Sequence, residues 1–177
     1  MTENAHYAGL PHLIRNGRIE DTVSALFEPA EDGPADQMPA DEAGWIVPLS
    51  VWTANEAALR ARRHPVGVQL APDDDPRLLV QDGVISPRGL AFIAVAFPAY
   101  TDGRGYSIAQ LLRGQLGWAG ELRAVGDVMI DTMYYQARCG FDSFAVKHGH
   151  DPKQALDALE TFSVAYQKGY VRPAVTL

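Results

Sequence analysis

The sequence predicts an α/β fold: a mainly parallel five-stranded sheet, open or curled into a partial barrel, with alternating helices and an N-terminal β-hairpin. Three observations carry this. Short apolar runs alternate about five times with helix-length amphipathic segments. One run, Leu90-Ala-Phe-Ile-Ala-Val-Ala-Phe97, is apolar at every position, as a strand covered on both faces should be. Parallel strands need crossovers, and helices of the observed length are the usual crossover.

The elements follow in order. His12-Leu-Ile-Arg15 and Arg18-Ile-Glu20 flank Asn16-Gly17, a pair that accommodates the positive φ angles of a tight hairpin turn. Residues 28–43 then hold Pro29, Pro34 and Pro39 among acids and small residues, which suits a linker or loop. Trp45-Ile-Val-Pro-Leu49 reads as a strand, and Ser50 as the cap of a helix running to about Arg62. Val66-Gly-Val-Gln-Leu70 is the second strand. Asp75 caps a short helix with Pro76 at its first position. After the apolar third strand, Ser107 is expected to cap a helix from Ile108 to Leu116. Glu121-Leu-Arg-Ala-Val125 is the fourth strand, and Asp127 the cap of a helix from Val128 to Arg138. Phe141-Asp-Ser-Phe-Ala-Val146 is the fifth strand. A last helix opens at Asp151-Pro152 and runs to about Lys168, with Leu156, Leu159, Phe162 and Tyr166 on one face. The organisation is one domain in three parts: a hairpin segment at 1–27, an acidic proline-rich linker at 28–43, and the α/β unit at 44–177. Ligands are expected at the carboxyl ends of the strands.

Composition narrows the function. Apolar residues make up 47% and charged residues 21%, an ordinary globular balance. The longest apolar run is far shorter than the ~20 residues that span a bilayer, and the first residues lack a basic and an apolar region, so a cytoplasmic protein without membrane partners is expected. The single cysteine, Cys139, excludes an internal disulfide, a multi-cysteine zinc site and an iron–sulfur cluster held by this chain alone. The histidines show no helix-spaced ligand pair, so no metal is indicated. The net charge is −7, but six of the acids fall in 28–42 with no base beside them, and the rest of the chain is close to neutral. No basic stripe carries aromatics, which argues against nucleic acid.

Polar residues gather at the expected strand ends. The third strand delivers Thr101, Asp102, Gly103, Arg104, Gly105, Tyr106 and Ser107. The fourth delivers Asp127 and carries Arg123 within it, and the fifth delivers Lys147 and His148. Gly103 and Gly105 around Arg104, before a helix start, fit a cradle in which backbone N–H groups, the helix dipole and a guanidinium hold a small anion. A tight loop with Arg104 paired to Asp102 or Asp127 fits the same residues. The loop also brushes the dinucleotide fingerprint: Gly103 and Gly105 supply the first two glycines and Asp127 the ribose acid, but Ile108 stands in the third position. Tyr106 is either a proton donor or a wedge between helix and sheet. Cys139 sits at a helix C-terminus, which disfavours a thiolate.

The stretch Phe97-Pro-Ala-Tyr-Thr-Asp-Gly-Arg-Gly-Tyr-Ser-Ile-Ala-Gln-Leu-Leu-Arg113, with Gly120-Glu-Leu-Arg-Ala-Val-Gly-Asp-Val128, Arg138-Cys-Gly-Phe-Asp-Ser-Phe144 and Phe162-Ser-Val-Ala-Tyr-Gln167, resembles a bacterial family described as oxidoreductases of sulfite reduction. Genes of that family lie beside those of assimilatory sulfite reductase and phosphoadenylyl-sulfate reductase. The resemblance runs from about Trp45 to Gln167, with departures at 84–88 and in the proline-rich stretch. It implies a place in sulfur assimilation and cysteine biosynthesis. The known reductase uses sirohaem and an iron–sulfur cluster, which one cysteine cannot ligate, so an accessory role is expected rather than the catalytic subunit. In that role Asp102, Gly103, Arg104, Gly105, Tyr106, Ser107, Arg123 and Asp127 would hold a small anionic ligand or nucleotide, with Asp102 and Asp127 orienting the arginines. The alternatives are an oxidoreductase with NAD(P) or flavin at the same edge, and an interaction module for sulfite reductase or another sulfate-assimilation enzyme.

Overall fold

The computed structural model describes residues 12–21, 24–34, 36–159 and 169. β1 (His12–Arg15) and β2 (Arg18–Asp21) pair antiparallel around Asn16 and Gly17, whose φ angles of 52° and 69° are the two left-handed positions of a type I′ turn. Next come β3 (Ala25–Leu26), β4 (Trp45–Pro48), α1 (Leu49–Ala61) and β5 (Val66–Leu70). A 3-10 turn (Pro76–Leu79), capped by Asp75 as expected, leads into a small hairpin of β6 (Val80–Gln81) and β7 (Val84–Ile85). The alternation resumes with β8 (Leu90–Phe97), α2 (Arg104–Gly114), β9 (Leu122–Gly126), α3 (Ile130–Arg138), β10 (Ser143–Ala145) and α4 (Pro152–Leu159). The predicted continuation of the last helix to Lys168 lies outside the described residues.

Among the described residues the main sheet has eight strands in the order β2-β1-β10-β9-β8-β5-β4-β3. From β4 to β10 the spatial order follows the chain order, and every neighbouring pair is parallel. Each step therefore advances the same way, and the helices collect on one face. Leu49, Trp52 and Leu59 of α1, Ile108 and Leu112 of α2, Met133 of α3 and Ala155 of α4 share one core with Val68, Ile93, Val95, Leu122 and Phe144. The opposite face of the strands carries a smaller cluster, Ile46, Phe92 and Ala94. The result is a mixed α/β protein with a curled, open half-barrel sheet.

The expected five-stranded parallel sheet is thus corrected to eight mixed strands. The central parallel strands are as predicted. What differs is the fate of the edges. A parallel sheet leaves unpaired N–H and C=O groups along both outer strands. β1 covers one edge by pairing antiparallel with β10 (Leu13 opposite Ala145, Arg15 opposite Ser143), and β3 covers the other by pairing parallel with β4. β2 and β3 lie at opposite ends of the sheet order, yet Asp21 and Ala25 are only four residues apart, so the two edges stand within about 14 Å of each other. That tether requires the sheet to curl.

Three predicted caps are also corrected. α1 starts at Leu49, ahead of Ser50. α2 starts at Arg104, because Asp102 Oδ1 accepts the Arg104 backbone N–H (3.0 Å) and begins the first turn earlier; Ser107 lies inside that turn. α3 starts at Ile130, and Asp127 is bonded elsewhere.

Residues 28–42 are tied down at several points. The Gln37 side-chain amide donates to Ala30 O (3.1 Å) and accepts from Ala30 N–H (3.0 Å), closing a compact loop. Asn55 donates to Gln37 O, and Arg62 to the carbonyls of Pro39 and Ala40. Burial alone would push the Asp41 carboxyl up, but bonds from the Arg63 and His64 N–H groups, the His64 ring and Arg62 pull it down to about 2.

Arg113 is the main polar group of the interior. Its Nε donates to Gly140 O (3.0 Å), Nη1 to Trp118 O (2.6 Å) and Gly120 O (2.8 Å), and Nη2 to Asp142 Oδ2 (2.5 Å). Asp142 Oδ2 also accepts Leu122 N–H (2.8 Å). Removing one partner of a buried pair leaves the other charge uncompensated. Arg113→Met should therefore destabilise the protein by about 3–5 kcal/mol in urea unfolding. A loss below 1 kcal/mol would mean the network contributes little.

Candidate functional site at the strand ends and the α2–α3 groove

The β8–α2 loop is held at the carboxyl edge of the sheet by two fixed points. Gly126 ends β9 at φ +92°, and a Cβ there would lie 2.5 Å from Phe97 O, so only glycine lets the two strand ends close up. Asp127 follows at once. Its N–H donates to Phe97 O (2.7 Å), its Oδ2 accepts Tyr100 N–H (2.9 Å), and its Oδ1 pairs with Lys147 Nζ (2.6 Å). The Lys147 bond first, then the Tyr100 N–H, hold its carboxyl below the usual range. Asp127 is therefore a loop anchor.

Asp102 and Arg104 form the charged tip. Arg104 Nε and Nη2 donate to Asp102 Oδ1 (3.0 Å) and Oδ2 (2.7 Å), a two-point grip, while Nη1 bonds Asp73 at the end of β5. The Asp102 carboxylate, with its bonds to Arg104, raises the guanidinium pKa and is itself held low in return. Asp102 is 16% exposed and Asp73 88% exposed, so the first is a seated partner and the second a solvated one. In the sequence Asp73 opens the acidic run Asp73-Asp-Asp75 that leads to the Asp75 cap. An acidic run at a strand's carboxyl end is the signal that could have paired it with Arg104.

The two glycines divide. Gly103 has φ −79° with open space around it. Gly105 is buried, and a Cβ there would strike the Phe97 ring at 2.6 Å, so its role is close packing of α2 on β8. Tyr106 is the wedge, between Phe97 (5.3 Å) and Tyr135 (5.1 Å), and burial pushes its hydroxyl pKa up.

Arg123 is not brought to Arg104. It lies three residues, about 10 Å, before the end of β9, on the opposite face of the sheet from the helices. Its guanidinium stacks on Phe92 (3.6 Å) and donates to Glu121 Oε1 (3.0 and 2.7 Å) and to Ser24 Oγ (3.3 Å). Glu121 also accepts from Ser143 Oγ (2.6 Å) and Arg15 (3.3 Å). This corrects the expectation of two arginines on one ligand: Arg123 is spent on a buried network, because alternation along β9 turns it inward.

Beside the tip, α2 and α3 border an open groove of about 650 Å³, lined by Tyr106, Ser107, Gln110, Leu111, Gly114, Gln115, Tyr135 and Cys139. Two expected site residues, Tyr106 and Ser107, line it. Gln110, Gln115 and Tyr135 were not singled out for a site, since exposed helix positions carry no sequence signature. Among the described residues no group of three or more His, Cys, Asp or Glu could hold a metal ion, and no helix is long and apolar enough to cross a membrane.

These features define a half-barrel α/β protein whose helix-capped strand ends carry a paired arginine next to a two-helix groove. The chain belongs to DUF934, a bacterial family described as of unknown function, which matches residues 67–176. No curated protein matches the chain, and no solved structure does.

Two measurements test the local chemistry. Burial pushes the Cys139 thiol up, ahead of the opposing bonds from Gln110 and Tyr135. A thiol reagent at neutral pH should therefore modify the folded protein roughly tenfold more slowly than the urea-unfolded chain. Burial also pushes Glu121 up, but Arg123, Ser143 and Arg15 bring it net below its ordinary value. A folded pKa below the unfolded one, about 4.3, adds stability that is present above it and lost as pH falls through the folded value. The urea midpoint should drop between about pH 5 and pH 3, and Glu121→Gln should flatten part of that drop.

Proposed function

We propose that the protein is an accessory component of assimilatory sulfite reduction that binds a small anion or a nucleotide phosphate at the first turn of α2. One observation carries the binding half of this reading. Arg104 stands exposed at a helix N-terminus, held in place by Asp102, while its outer edge is occupied by the solvated carboxylate of Asp73. A position that attracts one carboxylate suits another anion, and the helix dipole favours negative charge there. An incoming ligand takes the place of Asp73, and Asp102 keeps the guanidinium aimed. The pathway half rests on the sequence resemblance of 97–113, 120–128 and 138–144. Those segments form α2, which opens at this tip, β9, which ends beside it, and the start of β10 at the far end of α2.

A second reading, a docking module for a pathway enzyme, draws on Leu78 and Val84, two exposed apolar side chains on the excursion between β5 and β8. A flavin or NAD(P) site at the same edge is separated from both by colour and absorbance of the purified protein.

A thermal-shift screen of sulfate, sulfite, adenylyl sulfate, NADPH and FAD tests the binding reading. A ligand at 100 times its Kd adds about 2.7 kcal/mol. Arg104→Ala should abolish the shift, and Asp73→Asn should enlarge it by removing the competing carboxylate. If no anion shifts the melting temperature, the binding reading fails. The pathway reading fails if a deletion strain grows normally with sulfate as its sulfur source.

A further inference from the structure

We propose that the α2–α3 groove receives the adenine ring of a nucleotide whose phosphate lies at the first turn of α2. This rests on the anion reading above and extends it to a ligand class. The groove runs from Ser107 to Gln115, eight residues or about 12 Å along α2, and starts at the same turn that carries Arg104. Its volume, about 650 Å³, lies in the range of small-molecule sites.

The lining has a definite chemistry. The lining has no Asp, Glu, Lys, Arg or His, so it suits an uncharged part of a ligand. Tyr135 is exposed, and its ring packs on Tyr106 at 5.1 Å, which leaves an aromatic surface facing solvent. Bases stack on such surfaces. Gln110 and Gln115 each offer an amide that both donates and accepts. Gln110 Nε2 donates to Cys139 O (3.3 Å), which orients that amide at the groove wall. A glutamine amide is the side-chain match for the donor–acceptor edge of adenine. Gly114, near the far end of the groove, adds no side chain to it. A sulfate or sulfite ion alone would fill the turn and leave this surface empty; a nucleotide fills both.

The experiment measures binding of three probes by calorimetry: adenosine, adenosine 5′-monophosphate and inorganic sulfate. The monophosphate should bind at least about tenfold more tightly than either other probe. Tyr135→Ala, at an exposed position, should weaken adenosine and the monophosphate about tenfold and leave sulfate unchanged, while Tyr135→Phe retains the affinity. Arg104→Ala should weaken the monophosphate and sulfate and leave adenosine unchanged. A monophosphate no tighter than sulfate, or insensitive to Tyr135→Ala, overturns the groove and leaves the anion site standing. Adenosine bound without any gain from phosphate supports the groove and overturns the anion site. Binding of none of the three overturns both.

Discussion

Arg113 reaches from the last turn of α2 into the interior and satisfies three backbone carbonyls and one carboxylate at once. Those acceptors belong to the turn before β9 and the turn before β10. Asp142, the carboxylate, also takes the N–H that opens β9. A guanidinium this buried cannot be left partly bonded, because each orphaned donor or acceptor would bear its full desolvation cost. The helix end and the two strand starts are therefore fixed together. Trp118 packs over the same turn, its indole N–H donating to Glu121 O.

The other end of α2 is fixed by apolar contact. Gly105 lets the helix lie directly on the Phe97 ring, Tyr106 packs against that ring, and Phe141 reaches it at 5.7 Å. The Phe97 carbonyl meanwhile accepts from Asp127 at the end of β9. The loop of 98–103 joins β8 to this helix, and Asp127 ties it to the end of β9 through the Tyr100 N–H. At the end of this loop Asp102 grips Arg104 at two points.

The two arginines once expected to act together show how burial sorts equal charges. Desolvation lowers the Arg123 pKa, the charge and hydrogen bonds of Glu121 oppose it, and the pair is closed in by Ser143 and Arg15. Arg104 stands in water, where a carboxylate partner such as Asp73 exchanges easily. The inner cluster joins the N-terminal strands to β9, and the outer pair stands at the surface.

Much of the fold was legible in the residues. Asn16-Gly17 announced the hairpin, the unbroken apolar run of 90–97 announced a strand buried on both faces, and Asp75-Pro76 announced its capped turn. Each is a local signal, set by allowed φ angles, side-chain alternation and capping chemistry within a few residues. The helix starts were missed because Ser107 and Asp127 are good caps by type, and only the folded chain shows that Asp102 accepts the Arg104 N–H ahead of α2 and that Asp127 is bonded to Tyr100 and Lys147. The edge pairings of β1 and β3, the bonds of Arg113 to Gly140 and Asp142, the stacking of Arg123 on Phe92 and the meeting of Arg104 with Asp73 join residues 20 to more than 100 positions apart. Such contacts depend on how the sheet curls and which face each strand presents. Local residue chemistry set the alternation of strands and helices and the residue types at the strand ends. The tertiary structure decided which of those charges are buried in pairs and which remain at the surface, because desolvation acts on position in space rather than on order in the chain.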